Sequence, residues 1–393
     1  MLQPSSYTSS SERRRHKRLR AVVETCLWTL VALAILDAAV QRVFRMPADN
    51  SRPPGKLAQY FDYGRSIEGK LARLVGPTDA RSAPVVVSGW IDRECRHAPA
   101  AVPPGRIGVT VYGMSFSEHI ARQLEQLDPT LAISNYGGPA APANHSYACF
   151  QSVNATGSDP NPIQIFGVLA SSVARLLTLG GLTTSFEAPE PFTYPRYRLM
   201  AGRLVAEQPL VRSSQDLREP VTMAAYRTQL AADDAFFDPW QMSQSWADHS
   251  VVLCMLRRGY AQAELALRTR RLVNNGKDFV DSPDVGPTLS AILLQFASTA
   301  RAQGKLPIVI LFQDRGTGTD SLYRLVGPAL EEGGVPFVSS HGIAAVNDPR
   351  NFIPDGHFTP AVDRLIAQQT LEAIRRYGKS AAAPRAAAVQ VGR

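Results

Sequence analysis

A chain of 393 residues, 45% apolar and 19% charged, has the material for one large domain or two ordinary ones and the composition of a globular protein. Its net charge of +8 is local: Arg13, Arg14, Arg15, Lys17, Arg18 and Arg20 carry six of the 42 basic residues, and the other 36 nearly balance 34 acids. The body is close to neutral and has no basic stripe interleaved with aromatics, so no nucleic-acid partner is expected.

The basic cluster directly precedes "AVVETCLWTLVALAILDAAV", residues 21–40, which is about the length needed to span hydrocarbon as a helix. Residues 1–45 therefore read as a basic tail and a single transmembrane anchor, with Glu24 near one interface and Asp37 shortening the apolar run at the far end. Positive charge ahead of the span predicts a cytoplasmic N-terminus, an inner (plasma) membrane location and an extracytoplasmic body. A cleaved signal peptide is the alternative, but no small-x-small cleavage site precedes Arg42. In that oxidising setting Cys95 and Cys149 can pair, while Cys254 in "VVLCM" reads as a small buried hydrophobe. No CxxC or His/Cys cluster of metal spacing occurs, so neither a metal nor another cofactor is expected.

Residues 46–83 read as a stalk, "MPADNSRPPGK", and a helical or turn-rich neck. From 84 to 378 the pattern alternates: "APVVVSGW", "RIGVTVYG", "LAISNYGG", "PIQIFGVLASS", "LPIVILFQD" and "GVPFVSS" read as strands, with helices between them, notably over 286–303 and 319–332. Near-continuous apolar strands separated by helices predict an α/β fold, a parallel sheet covered on both faces. Residues 182–284 break the rhythm and read as an insertion or lid. Its Phe192, Tyr194, Tyr197, Phe236, Phe237 and Trp240 suit either a sugar-stacking platform or the insertion's own packing. Residues 379–393 are low-complexity and expected to be disordered.

Two stretches carry chemistry. In "RIGVTVYGMSFSEHIARQLEQL" the alternation of Ile107, Val109 and Val111 gives way to the helical stripe Phe116, Ile120, Leu124 and Leu127, with Ser115 and Ser117 at the corner. Such a serine is either a helix N-cap or a nucleophile exposed beside N–H groups that can hold an oxyanion. In "FIPDGHFTPAVDRLIAQQTLEAI", Thr359 and Pro360 look like the N-cap and first residue of a final helix, leaving Asp355 and His357 in the loop before it. Parallel sheets collect ligands at the carboxyl ends of their strands, which also draws in the "GGPAAPANHSY" loop with Gly138, Asn144 and His145, and Gln313 and Arg315 after a core strand. For His145, lining the site competes with a structural role; for Gln313 and Arg315, substrate binding competes with a structural ion pair. His341 reads as structural.

With "GMSFS", "NYGG" and "DGHFTP" in this order, residues 84–378 resemble the SGNH (GDSL-like) hydrolase superfamily, in particular its branches that handle O-acetyl groups on polysaccharides. The resemblance implies a flavodoxin-like sheet, an acyl-ester hydrolase or O-acetyltransferase with a Ser115–His357–Asp355 triad, a carbohydrate substrate, and partners in polysaccharide export or acetylation. Met114 replaces the Asp of the family's Gly-Asp-Ser, and the Asp-x-His spacing is similar to that of the alginate-acetylation branch. "FGVLASS" stands where a Gly-x-Asn-Asp block supplies an oxyanion-hole Asn, leaving the Ser115 and Gly138 N–H groups, helped by Ser171 or Asn144. Loss of one such donor costs about 2.7–4 kcal/mol of transition-state stabilisation. That implies a slow enzyme, a transferase with a specialised acceptor site, or an inactive polysaccharide-binding or export-scaffold protein.

Overall fold

The computed structural model describes residues 10–44, 46, 54–74, 89–96, 99–138, 140–155 and 159–388. The elements are α1 (Ser10–Val43), α2 (Lys56–Asp62), α3 (Ile67–Leu74), β1 (Ile107–Gly113), α4 (Ser115–Leu127), β2 (Leu131–Gly137), α5 (Ala143–Ala155), β3 (Ile163–Leu169), β4 (Arg196–Met200), β5 (Arg203–Glu207), α6 (Pro220–Asp233), α7 (Val251–Leu272), α8 (Gly286–Ala302), β6 (Leu306–Phe312), α9 (Ser321–Glu332), β7 (Phe337–Ser339) and α10 (Pro360–Ala388), with short turns between. The strand expected in "APVVVSGW" lies mostly outside the described residues. The tail expected to be disordered after Gly378 continues α10 as far as Ala388.

Five strands form one parallel sheet in the order β2-β1-β3-β6-β7. Counted among themselves they run 2-1-3-4-5, the doubly wound order that reverses direction between β1 and β3. The period of two along each strand sorts side chains into two cores. Val109, Val111, Ile163, Ile165, Ile308 and Ile310 pack with Phe116 and Ile120 of α4 and Val362 and Ile366 of α10. Tyr112, Phe166, Val168, Val309 and Leu311 pack with Phe150 of α5 and Phe296 of α8. Helices thus cover both faces, as a sheet of unbroken apolar strands requires.

The neck is not a free stalk. Ile67 and Leu71 of α3 share a third core with Phe186, Phe192, Tyr194, Tyr226, Leu230 and Met242 of the insertion. Phe192, Tyr194, Tyr197 and Phe236 are all buried, so the aromatic residues pack the insertion, and only Trp240 of the six is exposed. Asp248, paired with Arg257 inside that region, accepts hydrogen bonds from the N–H and Oγ of Ser66 at 2.9 and 2.6 Å, which fastens the neck to the insertion.

α1 is the helix long and apolar enough to cross a membrane, and its apolar side chains face outward. Asp37, which in the sequence only shortens the apolar run, has a structural task. Its Oδ1 accepts from the Val252 N–H at 2.9 Å and the Ser250 Oγ at 3.2 Å, while Gln41 donates to Asp37 Oδ2 and to the His249 carbonyl. A first-turn N–H of α7, unsatisfied within its own helix, is thereby met by a carboxylate from the apolar helix.

Cys95 and Cys149 form a disulfide across 54 residues, tying the turn after Trp90 to α5, and Cys254 is a buried free thiol. Closing a loop of that length stabilises by about 2–4 kcal/mol. Guanidinium unfolding of the detergent-solubilised chain should show a loss of about that size in a Cys95→Ala/Cys149→Ala variant. An unchanged midpoint would mean that the crosslink contributes nothing to stability.

Candidate functional site

Neither serine at the β1–α4 corner is the N-cap. That position is Met114, which offers no side-chain hydrogen bond to the helix, so Ser115 opens α4 and Ser117 lies two residues in. The two serines have different fates. A Cβ placed on Gly113 or on Gly167 would come within 2.0 Å of Ser117 Oγ, so the buried Ser117 occupies the space that these two glycines leave between β1 and β3. With Ser117 turned into the sheet, Ser115 is half-buried and points the other way.

Ser115 Oγ lies 2.6 Å from His357 Nε2, a contact between residues 242 apart in sequence. The loop that delivers His357 is braced at both ends. Phe352 and Phe358 bridge antiparallel, Ile353 N–H donates to the His357 carbonyl at 2.9 Å, and Thr359 N–H donates to the Asn351 carbonyl at 2.9 Å. Gly356 turns the loop with φ +93°, a conformation that side chains with a Cβ rarely adopt. The imidazole is stacked on Phe116 at 4.7 Å between centroids, and Phe116 meets Phe358 edge-on at 5.3 Å.

Asp355 stands where a triad acid is expected, but in a wet setting. Its Oδ1 is 3.1 Å from His357 Nδ1, yet the aligned hydrogen bond it accepts comes from the His357 backbone N–H at 3.0 Å, and its side chain is 62% exposed. That N–H, then the imidazole, hold the carboxyl below the usual carboxylate range, so it is ionised at neutral pH.

The residues proposed for the oxyanion hole and substrate divide differently. The Gly138 N–H donates to the Gly113 carbonyl at 3.1 Å, and a Cβ on Gly138 would come within 2.9 Å of the His145 ring. This glycine is thus explained by packing, and its donor is already used. Asn144 is buried, its amide donating to the Arg175 and Pro195 carbonyls at 3.2 Å each. His145 is buried against Phe192 and Tyr194, with Nε2 at 2.9 Å from the Gly89 carbonyl. The Ser171 N–H donates to Asp314 Oδ1 at 3.0 Å. Gln313, also buried, donates to Thr317 Oγ1 and the Gly318 carbonyl and accepts from the Leu322 N–H, stitching the β6–α9 turn. Arg315 is exposed and lies over Phe352 at 4.6 Å, beside the loop that carries His357. His341 contacts Ser339 Oγ at 2.7 Å and stacks on Tyr323. Of the predicted set the structure joins Ser115, His357 and Asp355, leaves Arg315 nearby, and gives the others structural work.

Two residues that the sequence reading missed adjoin the site. His119 is four residues after Ser115 on α4, and its ring centroid is 5.0 Å from that of His357. Its Nδ1 is 3.4 Å from Oδ2 of Asp363, a buried carboxylate in the first turn of α10. The i, i+4 spacing from Ser115 was the available signal for His119; Asp363 was hidden because it looked like an ordinary acidic residue at a helix start. Among the described residues no group of three or more His, Cys, Asp or Glu is placed to hold a metal ion.

Chemically, the site holds a hydroxyl on an imidazole nitrogen at the open start of a helix, where the N–H groups of Ser115 and its successors lack a side-chain cap. A base to take the serine proton and donors for a developing anion are the requirements of acyl transfer.

His145 gives a pH prediction. Burial lowers its pKa from 6.5 to about 4, so it stays neutral in the fold, and the unfolded chain takes up the proton first as pH falls. Stability is therefore lost between about pH 6.5 and 4, by about 3 kcal/mol in all. Comparing denaturation of wild type and His145→Gln across that range should show a shallower decline in the variant, and parallel curves would refute the assignment. No protein-family model matches the chain, and neither a curated protein nor a solved structure matches it.

Proposed function

We propose that the protein is a membrane-anchored serine acyl-ester hydrolase or O-acyltransferase, acting on an acetylated carbohydrate or polysaccharide outside the cytoplasm. The observation that carries this reading is the 2.6 Å contact between Ser115 Oγ and His357 Nε2 at the carboxyl edge of the sheet. Ser115 Oγ attacks the ester carbonyl while His357 Nε2 takes the hydroxyl proton. The tetrahedral anion is held by the N–H groups that open α4. Its collapse breaks the ester bond, and His357 returns the proton to the departing alkoxide, leaving an acyl-Ser115 ester. Water or a sugar hydroxyl, deprotonated by His357, then takes the acyl group. Asp355 fixes the loop that carries the imidazole, through the His357 N–H. The carbohydrate and the export or acetylation partners rest on the SGNH resemblance. With most of the insertion's aromatics packed inside, a sugar-stacking surface there falls to the exposed pair Trp240 and Tyr260, whose rings are 5.0 Å apart. Orientation rests on the six basic residues ahead of α1.

One observation favours a second reading, an inactive binding or scaffold protein: the Gly138 N–H is committed to Gly113, and no Asn stands after β3, so the oxyanion rests on one helix end. A fluorophosphonate probe separates the two. Stoichiometric labelling of Ser115, lost in Ser115→Ala, is the expected result; absence of labelling would favour the scaffold.

For the catalytic base, His357→Ala should lower turnover of a small acetyl ester about a thousandfold or more with the fold retained, since helix-end and binding contributions remain. Near wild-type turnover in that variant would remove His357 from the mechanism. A C-terminal reporter that works only outside the cytoplasm should be active, and a signal from a cytoplasm-only reporter would reverse the orientation.

A further inference from the structure

We infer that Asp363, together with His119, is a positioning device for His357, a buried carboxylate that sets the field in which the imidazole gains and loses its proton. The inference rests on the acyl-transfer reading for its kinetic consequence and on geometry for the rest. Asp363 is 4% exposed, and its Oδ1 has no hydrogen-bond partner. Its Oδ2 faces His119 Nδ1 at 3.4 Å, and the His119 ring lies 5.0 Å from the His357 ring. A carboxylate that only closed off a helix start would sit at the surface. Here it is pressed into the seam between α4 and α10, with one oxygen unsatisfied, at the expense of desolvation.

Asp355, 3.1 Å from His357 Nδ1, is 62% exposed, so water weakens its pull on the ring. Glu118 and Arg122 on α4 pair with each other, and Arg364 on α10 is exposed. His119 is held below its ordinary value by burial and by His357, so it stays neutral and links the two without competing as a cation. Burial pushes Asp363 up to about 7 against the opposing pull of a positive His357. An ionised Asp363 stabilises the imidazolium formed when His357 takes the Ser115 proton, and that imidazolium in turn favours the ionised carboxyl. Removing that negative charge withdraws its support for the imidazolium.

The test is a pH titration of the detergent-solubilised full-length chain labelled with 13C-histidine, read by NMR at His357, in wild type, Asp363→Asn and Asp363→Glu. Asp363→Asn should lower the His357 midpoint by about half a unit or more, and Asp363→Glu should restore most of it. The acid limb of kcat/KM for a small acetyl ester should move to lower pH with the midpoint. An unmoved midpoint in a folded Asp363→Asn protein overturns the inference, because a merely structural carboxylate would change thermal stability and not the titration. Should that variant not fold, the reciprocal measurement decides: in His357→Gln the Asp363 carboxyl midpoint rises if the two are coupled and stays put if they are not. If wild type hydrolyses no ester but the His357 midpoint still moves, the inference stands and the acyl-transfer reading falls.

Discussion

The site depends on a close approach between α4 and the sheet. Side chains on β1 and β3 at Gly113 and Gly167 would collide with Ser117, so α4 can lie against the strands only because both positions are glycine. That contact sets the rotation of the helix. Because residues on a helix are about 100° apart, burying Ser117 and Phe116 sends Ser115 toward the α10 side and aims the open helix end at the carboxyl edge of the sheet. The strand order reverses between β1 and β3 at that edge, and the loop before α10 brings His357 to Ser115 there. A side chain at Gly167 would thus displace Ser115 without touching it, by lifting α4 from the sheet.

Much of the architecture was legible because it follows from period. The strands around Ile107, Leu131, Ile163, Leu306 and Phe337 and the helices from Gly286 and Ser321 emerge where apolar spacing changes, and parallel order follows from helices lying between unbroken apolar strands. Ser115, Asp355 and His357 were legible because each sits at a boundary between periods. Contact chemistry was not legible in this way. Gly138 looked like a residue that admits ligand to the backbone, and it is small because of His145; Gln313 looked like a cleft residue, and it stitches a turn. A strand end tells which edge a residue occupies but not whether its hydrogen bonds are already taken. For the aromatic insertion the sequence left two readings open, since composition cannot separate rings that face a ligand from rings that face each other, and packing is the one the structure has.

The electrostatics of the site are unevenly divided. Asp355 has the right place in sequence but is mostly in water, which weakens its charge; Asp363 is less direct but buried, where the same charge counts for more. The two carboxylates have complementary roles. Asp355 fixes the loop through the His357 N–H, which is a geometric task that solvent does not weaken, and the buried partner supplies field.

The same principle, a carboxylate meeting donors that water cannot reach, joins the apolar helix to the body. Asp37 would be costly within hydrocarbon unless paired, and it is paired with the start of α7. From there the contacts are continuous: α7 carries Arg257, which holds Asp248; Asp248 holds Ser66 at the start of the neck; the neck packs on Phe192 and Tyr194; and these meet His145 on α5, against the sheet. A body joined to α1 only by a flexible linker would have no fixed direction relative to it, whereas Asp37 and Gln41 hold this one to the helix. The neck and insertion therefore give the carboxyl edge of the sheet a defined direction relative to the axis of α1.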